Sequence, residues 1–336
     1  MSGRRPVRVL ILLLAAISLL AAGTTARTPA AQTSGETYEA CRSGEETISA
    51  SALPETVSLE RCPVGDRVIR DNGIGTILPA PGQSIYVDAL TTTGSQELEV
   101  TRYADGTLEL EHVGDETEAS QREPQLGAAA RSPAACRDGH YNNLDRKVYA
   151  DLKWYFNPRT VPSELSRKGA ARATRRGNVN ITEVQDSCGL PDRVKWRMLY
   201  QGFTRATAQL GKSGNCNGND RDTVVSFGTL PQSTLAATCT ITTLETGPNN
   251  NRVKWSDIKL NKVHFNWTTR PQARSCKNRF DVESTITHER GHTFGLAHVS
   301  ESDHRNLTMS DRSNGPCQSS ERSLGRGDAL GLNRKY

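Results

Sequence analysis

Residues 288–298 read His288-Glu289-Arg290-Gly291-His292-Thr293-Phe294-Gly295-Leu296-Ala297-His298, an H-E-x-x-H-x-x-G-x-x-H pattern without a departure. Histidines four residues apart lie one turn from each other on the same helix face, so His288 and His292 can place ring nitrogens on one ion. Gly295 tolerates φ > 0, which lets the helix end and the chain turn back to bring His298 round as a third ligand. Three protein ligands leave a coordination position for water, which distinguishes a catalytic zinc from a closed structural one. Glu289 follows the first ligand and can reach that water, whose pKa beside zinc falls from 15.7 to about 7. Its expected role is general base, then general acid toward a leaving amine.

A bare H-E-x-x-H also arises by chance on surface helices. The extended pattern fixes five positions and uses three of the chain's seven histidines, so chance accounts for it poorly. His112, His140, His264 and His304 read as ordinary surface or core residues, with His304 near enough to the motif in sequence to reach a substrate.

The start of the chain bears on where such chemistry would operate. Arg4, Arg5 and Arg8 lead into the apolar run Val9 to Ala22, followed by small residues Thr24, Thr25 and Ala26, the pattern of a signal peptide over 1–32. The run is shorter than the roughly 20 residues a membrane span requires. Eight cysteines follow, at 41, 62, 136, 188, 216, 239, 276 and 317, and an even count in an exported chain points to disulfides. Sequence allows 105 pairings. Neighbour with neighbour (41–62, 136–188, 216–239, 276–317) is the preferred set, and without a CxxC pair a cysteine-built zinc site is not expected.

Charge divides the chain. Residues 33–125 carry 6 basic and 18 acidic side chains, whereas 126–336 carry 32 basic and 19 acidic ones. A low-complexity run with Gly127, Ala128, Ala129, Ala130, Ser132 and Pro133 separates them and reads as a linker over 126–135. The acidic segment looks β-rich, with strands at 84–87, 98–103 and 108–111 and a hairpin turn at Ala104-Asp105-Gly106-Thr107. In the basic segment, 153–156, 223–227 and 263–267 read as strands. Residues 163 to about 187 read as a helix, and Asp281 caps another that runs through His292.

At 288–298 the chain resembles the metzincin peptidases. Leu307-Thr308-Met309-Ser310 follows at the distance of their methionine turn, where Met309 would floor the site. Residues 324–336 resemble the closing helix of the matrixin branch, and 235–239 and 256–258 resemble its edge strand and the strand after it. The resemblance implies that substrate lies extended along 235–240 and adds to the sheet by main-chain hydrogen bonds. It also implies calcium, for which Asn217, Asn219, Asp220 and Asp222 offer oxygens, although an ordinary polar turn is the favoured reading of those residues. Arg61-Cys62-Pro63-Val64-Gly65-Asp66 and Cys188-Gly189-Leu190-Pro191-Asp192 resemble the matrixin cysteine switch, but even cysteine arithmetic assigns both thiols to disulfides.

The expected fold is α+β: a metzincin-like catalytic domain over 136–336, with a twisted, mixed but mostly parallel sheet, an active-site helix, a methionine turn supported by Gly295 and Met309, and a C-terminal helix. A small β-rich region over 33–125 precedes it as a pro-region or accessory domain. The expected function is a secreted, extracellular zinc-dependent endopeptidase with Glu289 catalytic and His288, His292 and His298 on the metal. The alternative is a catalytically silent zinc-containing binding module. Expected partners are protein or peptide substrates, with no nucleic acid and no membrane once the signal is removed, and the charge pattern supports two readings of 33–125 equally: docking on the catalytic domain through its opposite charge, or acidic residues that only keep an exported β-domain soluble.

Overall fold

The computed structural model describes residues 37–42, 44–111, 134–218, 220–245 and 251–336. The expected signal peptide, residues 126–133 of the expected linker, His112 and Asn219 lie outside these residues. The protein is mixed α+β, with a sheet-rich body and few helices. Residues from Thr37 onward form one compact unit. Among the described residues no helix is long and apolar enough to cross a membrane.

One nine-stranded sheet organises the molecule. Its strands are β1 (Thr56–Ser58), β2 (Gln83–Thr91), β3 (Ser95–Arg102), β4 (Thr107–Glu111), β5 (Leu152–Phe156), β6 (Met198–Phe203), β7 (Val224–Gly228), β8 (Thr234–Thr243) and β9 (Arg252–Asn261). In space they run β6-β5-β7-β9-β8-β2-β3-β4-β1. The first four strands in this order pair in parallel. Every later pair, from β9 with β8 onward, is antiparallel. The sheet is therefore mostly antiparallel, because the hairpin strands of the acidic segment continue it across β8 instead of forming a layer of their own.

Alternation sends the two faces of the shared strands to different cores. Ile85, Val87 and Ala89 of β2 join Ala237, Cys239 and Ile241 of β8 in one apolar cluster with Leu98, Val100, Ile69 and Ile74. The opposite face meets the helices α1 (Arg167–Thr182) and α2 (Val282–Thr293), and α3 (Arg326–Lys335) adds Ala329 and Leu332 to the same core. Trp154, Phe156, Phe227, Trp267, Ile286, Phe294 and Met309 fill that second core.

Helix α1 begins later than its periodicity suggested, where the Ser166 hydroxyl accepts from Gly169 N at 3.0 Å. It continues through Gly177, where α2 crosses closely. A Cβ there would lie 2.7 Å from Ile286 Cγ2 and 2.9 Å from the Glu283 carbonyl oxygen. The expected strand over 263–267 is a correction. The Asn261 side chain accepts from the backbone N–H groups of Val263 and His264, turning the chain out of β9, and only Trp267–Thr268 pairs, with Phe280–Asp281.

The four disulfides join Cys41 to Cys62, Cys136 to Cys188, Cys216 to Cys239 and Cys276 to Cys317. These are the neighbour pairs, and they occupy both thiols of the switch-like stretches. Four disulfides fit an extracellular protein.

Because the α1–α2 crossing leaves no room for a side chain at 177, Gly177→Val should destabilise the fold by about 1–3 kcal/mol. Chemical denaturation would read this as a lower midpoint. An unchanged midpoint would show that the two helices can separate without cost.

Candidate metal centre

Helix α2 places the first two histidines. The Asp281 carboxylate caps it, accepting from Ser284 N at 2.9 Å, and Arg322 holds that carboxylate through two contacts of 2.7 Å. Every residue of α2 is buried although the stretch is largely polar, so its interior groups require partners. Asn180 of α1 donates to the Thr287 hydroxyl at 3.0 Å. At the other end Gly295 adopts φ +85° and the chain reverses.

That reversal brings His298 onto the other two rings. The Nε2 atoms of His288 and His298 lie 2.9 Å apart, those of His292 and His298 3.1 Å, and those of His288 and His292 3.3 Å. One ion about 2.0–2.1 Å from each nitrogen requires close to this spacing. The Nδ1 atoms face outward to acceptors. His288 donates to the Thr308 carbonyl at 2.7 Å and His292 to the Leu296 carbonyl at 3.0 Å, while His298 Nδ1 lies against the Glu97 carboxylate. These contacts place the proton on Nδ1 and turn each Nε2 lone pair inward. Burial holds His288 down to about 3 and His292 well below the usual imidazole range, so both rings are neutral ligands near pH 7.

Asp88, near the centre of β2, completes the group. Its carboxylate is fully buried, its oxygens lie 3.7 Å from His292 Nε2 and from His298 Nε2, and apart from the Glu289 carboxyl beside it neither oxygen has a hydrogen-bond partner. Burial, followed by the neighbouring Glu289 charge, raises its pKa well above the usual carboxylate range. A desolvated carboxylate met only by a second carboxyl and three imidazole lone pairs is compensated by a cation. Asp88, His288, His292 and His298 could thus hold a metal ion together.

Glu289 lies beside this group. The Thr238 hydroxyl of β8 donates to its Oε2, whereas its Oε1 is buried and met by no donor. Burial pushes its pKa up, and the Thr238 hydrogen bond opposes that rise. Beneath the rings, a Cβ on Gly291 would collide with Met309 Sδ, so a glycine at that point of the motif lets the methionine approach. Asp328 of α3 holds the turn carrying Met309, accepting from Thr308 N at 2.8 Å and Met309 N at 3.2 Å.

Every residue singled out at the motif, His288, Glu289, His292, Gly295, His298 and Met309, is brought together. His304 instead pairs with Asp138 at 2.9 Å and stacks on His140 with ring centroids 4.2 Å apart. Of the calcium candidates, Asp220 accepts from Gln209 Nε2 at 2.9 Å and from Asp222 N at 3.0 Å, the bonding of a polar turn.

Asp88, Glu97 and Thr238 were missed. The strand read at 84–87 stops one residue before Asp88, and the available signal was an acid inside the otherwise apolar run Ile85 to Leu90. Glu97 shares the alternation of β3 that turns Leu98 and Val100 to the apolar cluster, which leaves Glu97 and Glu99 on the histidine side.

Neither family models nor curated proteins give a match to this sequence.

An ion that binds only the folded chain should raise its stability, by about 2.7 kcal/mol at a hundred times the dissociation constant. Thermal melting with chelator, and then with one equivalent of a divalent cation, should show the midpoint rise. His292→Ala and His298→Ala should remove most of the rise. Equal midpoints with and without ion in the native chain would contradict the metal assignment.

Proposed function

We propose that this protein is an exported zinc-dependent endopeptidase, related in its catalytic segment to the metzincins of the matrixin branch. The observation that carries the reading is the convergence of three imidazoles, aimed by their Nδ1 contacts, beside a buried carboxylate with one oxygen that no donor meets. His288, His292 and His298 would hold the zinc. A zinc ion there would supply Lewis acidity, polarising a peptide carbonyl and making water acidic enough to lose a proton near neutral pH.

The chain's own residues do the rest. Glu289 keeps Oε2 fixed on the Thr238 hydroxyl, which leaves Oε1 to accept the proton of the attacking water. Low-dielectric surroundings raise its proton affinity, which suits a group that must take a proton and then pass it to the leaving amine. The Thr308 and Leu296 carbonyls keep the rings oriented through the cycle. Met309 packs under α2, and Asp328 keeps its turn in place. Strand β8 lies beside Glu289, as Thr238 shows; it is an internal strand and not the expected edge strand, so an extended peptide would align its backbone with the reacting groups along the side of β8 that β2 fills in this structure. That mode of recognition reads main chain first, which suits protein and peptide substrates.

A second reading has its own observation. Asp88 gives the histidines a fourth protein ligand, as in a closed structural site, which suits a catalytically silent zinc-containing binding module. Casein hydrolysis separates the two, assayed on the full chain before and after limited trypsin digestion, with and without chelator. The peptidase reading expects chelator-sensitive hydrolysis that returns with zinc. One bound zinc with no such hydrolysis in either form would favour the binding module.

Glu289→Gln should keep the fold and the zinc yet lower hydrolysis by about 10²–10⁴-fold, since the metal stays while the proton acceptor is lost. Metal analysis and casein turnover measured on the same preparation check this. Equal turnover in variant and native chain would remove Glu289 from the reaction.

A further inference from the structure

A cavity of about 460 Å³ lies between the first turns of α1 and the 268–279 loop, and none of the residues of the metal group lines it. We infer that it binds a compact polyanion, a ligand carrying two or more linked tetrahedral oxyanion groups such as a condensed phosphate or a sulfated sugar. The inference is independent of the metal.

Charge is the first support. Lys168, Arg172, Arg176, Arg270 and Arg279 line the cavity, and Glu164 is the one carboxylate in its wall. That carboxylate is engaged, accepting from Trp267 N at 3.2 Å. Arg176 pairs with Glu283 of α2 at 2.6 Å. Among the described residues the other four cations have neither an ion pair nor a side-chain hydrogen bond. An ordinary basic surface spreads its charges into water, whereas these converge from two elements on one hollow. Their mutual repulsion is relieved by an anion held between them.

Geometry sets the size of that anion. Lys168, Arg172 and Arg176 follow one another at four-residue spacing on α1, each step rising about 6 Å along the axis. Arg270 and Arg279 come from the loop across the cavity. One phosphate cannot bridge cations strung over about 12 Å of helix, but linked groups can. The first turn of α1 adds its own donors. The Ser166 hydroxyl takes Gly169 N, while the N–H groups of Arg167 and Lys168 meet no acceptor among the described residues, at the positive end of a 16-residue helix. No aromatic side chain lines the cavity, so it offers no platform on which a nucleobase would stack.

The walls are held before any ligand arrives. The Cys276–Cys317 disulfide anchors the loop, and Cys317 N donates to the Arg279 carbonyl at 2.8 Å. Arg322, fixed on Asp281, donates to the Thr269 carbonyl at 3.2 Å. A cation carried on a pinned loop and others on a helix lose little freedom on binding, which favours affinity.

The test is calorimetric titration of the full chain at physiological salt with tripolyphosphate, with sucrose octasulfate and with orthophosphate. One saturable site is expected for at least one of the two polyanions, about tenfold or more tighter than for orthophosphate. Binding of tripolyphosphate alone assigns a phosphate source, of the octasulfate alone a sulfated one, and of both the shared chemistry. Arg172→Glu and Arg270→Glu should each weaken the polyanion by about tenfold, whereas Lys212→Glu, an exposed lysine outside the cavity, should change it by less than about twofold. Arg172→Gln and Arg270→Gln carry the same comparison should a charge reversal disturb folding, which thermal melting of each variant checks. Loss in these variants also separates the cavity from any ion that tripolyphosphate draws from the histidines.

No saturable binding of either polyanion would overturn the site. Equal weakening by Lys212→Glu would reduce it to diffuse surface charge, and orthophosphate binding as tightly as the polyanions would overturn the requirement for linked groups.

Discussion

Desolvation of Asp88 together with the three imidazoles it faces is the constraint from which the rest of the arrangement follows. A buried carboxylate with only the Glu289 carboxyl beside it is costly, and neutral rings with inward lone pairs cannot relieve it. A cation satisfies all four groups at once. The surrounding structure serves that need: the Thr308 and Leu296 carbonyls fix two rings, Glu97 faces the third, and Met309 supports α2 from below. Asp328, itself buried and pushed up to about 6 by that burial, ties the C-terminal helix to the same turn.

Strand β8 mediates between the two parts of the chain. Thr238 and Thr240 point toward α2, one to Glu289 and the other to Ser256, which in turn meets Thr293. Its alternate residues Ala237, Cys239 and Ile241 point into the apolar cluster built largely by the acidic segment. A single strand therefore links the site's chemistry to the packing of residues 37–111, because period-two alternation lets it present a polar face and an apolar face at once.

The charge contrast between the segments is used sparingly at the contact. Glu99 with Arg146 carries it at the histidine face, where Glu97 and Asp88 meet imidazoles and not cationic side chains of the basic segment. Buried pairs of this kind add little net stability once desolvation is counted, whereas losing one partner is expensive. Such contacts specify how the hairpin sits, and the apolar cluster and strand pairing hold it there.

The motif residues were legible in the sequence because their relations are local. Helical spacing relates His288 to His292, a left-handed glycine at 295 returns the chain to His298, and Asp281 caps the helix by accepting from Ser284 N three residues on. Neighbouring cysteines likewise found each other across short loops. What only the tertiary structure decided is the pairing of β2 with β8, residues some 150 positions apart, and with it the roles of Asp88 and Glu97. No local rule links residue 88 to residue 288. A strand's pattern states which side chains share a face, but its neighbour in the sheet is chosen by burial and register across the whole chain, and that choice turned an acid in an apolar strand into a candidate metal ligand.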